Sequence, residues 1–68
     1  MTPEESLRFW ENFRLACVAN PEWRTGQAMM NCLATVAPEL YVMVTGTICD
    51  PFYRNEKIPA FLDYIGEA

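Results

Sequence analysis

The chain has no histidine, only three glycines, and three cysteines without a Cys-x-x-Cys pair. Without histidine, the odd set Cys17, Cys32 and Cys49 cannot complete a zinc site of ordinary spacing. No Gly-rich phosphate loop is present, and no nucleophile has an evident base beside it in sequence. Asp50 and Asp63 are explained by capping and solvation rather than by acid/base pairing. The expectation is a protein with no cofactor, no metal and no enzymatic activity. Positive charge is also scarce, with five Lys and Arg against nine Asp and Glu and a formal net charge of −4. Phosphate-backbone recognition depends on clustered cations that release counterions, so no nucleic-acid partner is expected. The longest strongly apolar stretch, "LYVMVTGTIC", is too short to cross a bilayer, and "MTPEES" is acidic where a secretory signal needs positive charge. These features predict a cytoplasmic protein with free thiols and no membrane partner.

What the chain does have is apolar content, 51% hydrophobic and 13% aromatic over 68 residues. A chain of this size buries only about 60% of the surface that its unfolded form exposes, so one small core must hold it together. A single domain, residues 1–68, is expected. Thr2, Pro3 and Glu5 spell a capping box with proline at the first helical position, and the first helix is predicted to run to about Ala19. Phe9, Trp10, Phe13, Ala16 and Cys17 form its apolar face, with Glu4, Arg8, Glu11 and Asn12 opposite.

"ANPEW" predicts a stop and a second start, with Asn20 as N-cap, Pro21 in the first turn, and a helix continuing to about Val36. Gly26, Met29, Met30, Leu33, Val36 and Ala37 mark its inner side, and a helical glycine at 26 implies that another element approaches there. Trp23, Arg24, Gln27 and Asn31 lie within two turns and are the candidate binding residues, with Thr35 continuing the polar line. Arg and Trp are enriched among residues that dominate binding energy. The alternative role for this face is an internal tie to a neighbouring loop.

Residues 40–45 combine β-favouring side chains with helix punctuation. A lone strand would leave its backbone unpaired unless it paired across a dimer, so a short helix is predicted, with Gly46 as its left-handed C-terminal residue. "KIPAFLDYIG" predicts a final helix with Pro59 in its first turn, Ile58, Phe61, Leu62 and Ile65 inward, and Gly66 closing it. In "GTICDPFYRN", Asp50 and Pro51 read as an N-cap and first position, making "DPFY" one helical turn pinned by Phe52 and Tyr53. Cys49 reads as a small buried apolar residue. The fold class expected is all-α, a bundle of about four short helices with a tight D-P-F-Y corner.

The runs "PEWRTGQAMMNCL", "PELY" and "GTICDPFYRNEKIPAFLDYI" resemble a group of short bacterial and phage proteins. Their shared order is W-R-x-G-Q-A, N-x-L, G-T, D-P-F-Y and I-P-x-F, and the likeness extends from Pro21 to Ile65. It implies a phage or prophage accessory protein and carries no activity, cofactor or catalytic residue with it. The function expected is that of a small acidic module that docks on a larger protein and inhibits or modulates it. The competing expectation is a self-associating homo-oligomeric subunit.

Overall fold

Two proline steps set the corners of the chain. The residue before a proline is pushed out of the right-handed helical region by the pyrrolidine ring. Asn20 and Ala37 both obey, at φ/ψ of −132°/68° and −140°/73°. The first ends α1 (Pro3–Ala19) and the second ends α2 (Thr25–Val36). Pro38 then opens α3 (Pro38–Val44) directly, and Ala37 loses no hydrogen bond at the bend: its N–H donates to Leu33 and its carbonyl accepts from Tyr41. A 3₁₀ turn over Asn55–Lys57 leads into α4 (Ile58–Ile65). This computed structural model describes all residues, 1–68. It contains no strand, and the fold is the expected all-α bundle.

The short α2 is central and supplies most of the core. Met29, Met30, Cys32, Leu33 and Val36 pack with Phe9 of α1, Val44 of α3, and Phe61 and Ile65 of α4. Its Gly26 and Ala28 are also buried, while Thr25 stays exposed and Gln27 half-buried. The chain ends close on each other. The Met1 amino group donates to the Ile65 carbonyl, while Ser6 Oγ and Trp10 Nε1 donate to the Glu67 carboxylate. The radius of gyration, 10.8 Å, matches the roughly 11 Å expected of a compact chain of this length. No helix is long and apolar enough to cross a membrane.

Several local expectations hold. The Thr2–Glu5 capping box is present, α4 closes on Gly66 at φ 81°, and residues 40–45 are helical to Val44. Others are corrected. Asn20 does not start the second helix; its backbone N–H and side-chain amide both bond to the Ala16 carbonyl, closing α1. Pro21 to Trp23 form a turn, and α2 begins only at Thr25 after an extended Arg24. Asp50 and Pro51 begin no helix. Asp50 makes an Asx turn, accepting from the Phe52 N–H through one oxygen and from the Gly46 N–H through the other. Gly46 is left-handed, at φ 79°, but as part of a type II turn after Thr45 (φ −55°, ψ 125°), closed by Thr47 N–H to the Val44 carbonyl. On α1, Cys17 is exposed rather than inward and Trp10 sits at the core's edge, because Phe9, Phe13 and Ala16 already fill the space under α2. Cys49 is half-buried; the cysteine in the core is Cys32.

Candidate functional site

The first turn of α2 lacks a capping residue of its own. Arg24 occupies the N-cap position and cannot accept a hydrogen bond with its side chain. Two other residues do the work. Gln27 Oε1 accepts from the Arg24 N–H at 3.3 Å, and Asn55 Oδ1 accepts from the Gly26 N–H at 2.9 Å. The second of these crosses 29 residues of chain, so the corner itself caps α2. Arg24 answers in the other direction, its Nε and Nη2 donating to the Phe52 carbonyl at 3.2 and 3.0 Å. Its guanidinium also lies 5.9 and 5.7 Å from the Phe52 and Tyr53 ring centroids, within cation–π range.

This docking demands a glycine at 26. A Cβ there would overlap the carbonyl oxygen of Pro51 and stand 2.9 Å from its carbonyl carbon. The W-R-x-G-Q-A and D-P-F-Y segments therefore meet in one backbone-level joint. Of the four candidate binding residues, Arg24 is engaged in it directly and Gln27 only through its bond to the Arg24 N–H.

Trp23 and Asn31 lie elsewhere. They border a groove of about 390 Å³ between α1 and α2. Leu15, Ala16 and Ala19 make the α1 wall, and Cys32 contributes to the opposite side. Asn12, Asn20 and Thr35 complete the polar part of the lining with Asn31. No charged side chain lines it. Burial pushes the Cys32 thiol above its ordinary pKa, with the nearby Cys17 adding a smaller push in the same direction. The thiol is thus neutral, and the lining is apolar with uncharged amides and a hydroxyl.

The four predicted residues accordingly fall into two pairs, one at the joint and one at the groove. The α1 contribution to the groove is not signalled in the sequence, where Asn12 reads as a solvated position opposite the apolar face. No three Cys, Asp or Glu side chains are grouped as metal ligands. No buried side-chain nitrogen or oxygen is left without a hydrogen-bond partner. No protein-family model matches the chain, and no curated protein or solved structure is detectably similar to it.

Proposed function

We propose that this chain is a small protein-binding module that docks on a larger protein and modulates or inhibits it. The observation that carries the reading is the groove between α1 and α2, because its chemistry selects a class of partner. An apolar wall with Trp23 at one end favours an aliphatic or aromatic side chain, and the surrounding Asn and Thr groups favour peptide N–H and C=O groups. A phosphate or carboxylate ligand would find no cation in the lining. A segment of protein presenting one apolar anchor is the occupant that suits both features. On the W-R-x-G-Q-A to I-P-x-F motif order alone, we place the partner among bacterial host or defence proteins, with this chain as a phage or prophage accessory protein.

The test is affinity capture from bacterial lysate with the wild type and with two groove variants, Thr35→Lys and Asn31→Asp, that alter the rim without emptying the core. Val42→Asp, on the exposed side of α3, serves as the control. A protein retained by the wild type and the control but lost by both groove variants is the expected result. Equal capture by all four chains, or no capture by any, rejects the groove as a docking site.

A further inference from the structure

The inner side of α1 carries Phe9, Phe13 and Ala16. Diametrically opposite, in steps of four, three and four residues, lie Leu7, Glu11, Arg14 and Val18. Leu7 is 74% exposed and Val18 77%. The outer face of a surface helix is ordinarily polar, whereas this stripe has the four-three spacing of a coiled-coil seam with aliphatic side chains at both ends. Its two inner members have opposite charge and already pair within the helix, Arg14 Nη2 to Glu11 Oε1 at 2.9 Å, with both side chains mostly exposed. An exposed pair of this kind holds its partners weakly, so either charge is free to take another.

We propose that this stripe is the contact face of a homodimer, in which α1 lies antiparallel on α1 of a second copy about a two-fold axis between Asn12 and Phe13. The order along the stripe is self-complementary under that operation. Each residue faces the one equally far beyond the midpoint, so Leu7 meets Val18 of the partner subunit and Glu11 meets Arg14 of the partner subunit. A parallel pair would instead set Glu11 against Glu11 and Arg14 against Arg14, so the charges select the antiparallel arrangement. The approach is not opposed locally by the chain's net charge of −4, because Glu4 and Glu11 are balanced on this side of α1 by Arg8 and Arg14. Only charges within about 10 Å of the seam act strongly at ordinary ionic strength.

The size of the surface fixes the kind of dimer. With 17 residues, α1 is about 25 Å long, and one helix pair of that length falls short of the roughly 1,200–2,000 Å² of a standard stable interface. The dimer is therefore weak and concentration-dependent. Trp23 and Asn31 are not part of the stripe, so the inference stands independently of what the groove binds.

Sedimentation equilibrium from about 10 μM to about 1 mM tests it, with a monomer–dimer equilibrium expected inside that range. Leu7→Asp and Val18→Asp should each raise the dissociation constant at least about tenfold, while leaving the melting curve of dilute protein in place. Glu11→Arg and Arg14→Glu should each weaken association, and the double reversal should restore it, because only the antiparallel pairing regains its opposite charges. A chain that stays monomeric at about 1 mM, a dimer indifferent to Val18→Asp, or a double reversal that remains monomeric overturns the proposal.

Discussion

Gly26→Ala isolates the joint between α2 and the corner. By helix propensity alone the substitution should stabilise the protein by up to about 1 kcal/mol. Against that, the new Cβ would overlap the Pro51 carbonyl oxygen and stand 3.0 Å from Pro51 Cβ. The obstacle is mainly backbone, so no side-chain rotation relieves it, and overpacking of this sort costs about 1–3 kcal/mol. If the corner retreats instead, the Gly26 N–H loses Asn55, and a lost helix cap costs about 0.5–2 kcal/mol. At the middle of the overpacking range, with the propensity gain subtracted, the balance is a net loss of about 1 kcal/mol. In a domain of this size each kcal/mol lowers the melting temperature by about 4–8 °C, so thermal circular dichroism should show a fall of roughly that size. Gly46→Ala is a useful contrast, since nothing lies within 4 Å of a Cβ there and only the left-handed φ of 79° is penalised. A double-mutant cycle separates the two outcomes: Asn55→Ala should cost much less in the Gly26→Ala background if the corner has retreated and the bond is already broken, and about the same if the corner has stayed under strain. An unchanged or raised melting temperature for Gly26→Ala would refute the joint.

Asp50→Ala leaves the Gly46 and Phe52 N–H groups without their acceptor and should cost about 1–3 kcal/mol in urea unfolding, with Asp50→Asn losing less because it keeps one oxygen. Equal losses for the two variants would show that the paired oxygens are not what matters. Thiol alkylation in the folded state should be fast at exposed Cys17, slower at Cys49 and slowest at buried Cys32. Because burial raises the Cys32 pKa, the folded state keeps a proton that the unfolded state gives up; stability is full below the unfolded value and falls as pH rises above about 8.5. The alkaline fall should be smaller in Cys32→Ala, and identical pH profiles would contradict it. Arg24→Ala combined with Gln27→Ala should lower the melting temperature by several degrees, and Arg24→Lys should recover little of the Arg24 share, because an ammonium cannot donate the same fork to the Phe52 carbonyl. A double variant that melts normally but loses a partner would return these two residues to the interface.

The features legible in the sequence are those whose physics is local. The capping box at Thr2 and Glu5, the glycine stop at Gly66 and the apolar spacing of α4 each act within about one turn or along one face, and each appears where its pattern predicts. Asn20 shows where local reading divides. An asparagine before a proline can open the following helix or close the preceding one, and here its side chain turns back to Ala16. Thr25, not Pro21, then begins α2, after an extended Arg24 whose guanidinium meets the Phe52 carbonyl. Asp50 departs from its sequence pattern for a related reason. The Asp-Pro pair suits an N-cap, but the same carboxylate also makes an Asx turn, and its second oxygen finds Gly46 only once the loop has closed.

The candidate site divides along the same line. Gly26 signalled a close approach in the sequence because a helical glycine is costly without one, but the residue that approaches, Pro51, lies far along the chain. The cap for α2 is equally non-local: no pattern around Arg24 announces that Asn55 will supply it. Helix start and corner therefore depend on each other, since the corner has its docking surface only when α2 is formed and α2 has its cap only when the corner is docked. A substitution at either end should consequently be felt at both, which makes loss of stability the expected first symptom for Arg24 and Gln27. Trp23 and Asn31 face the α1 groove instead, so their variants can alter binding without opening the joint. Arg24 and Gln27 thus report on the fold, and Trp23 and Asn31 are the pair through which recognition is to be tested.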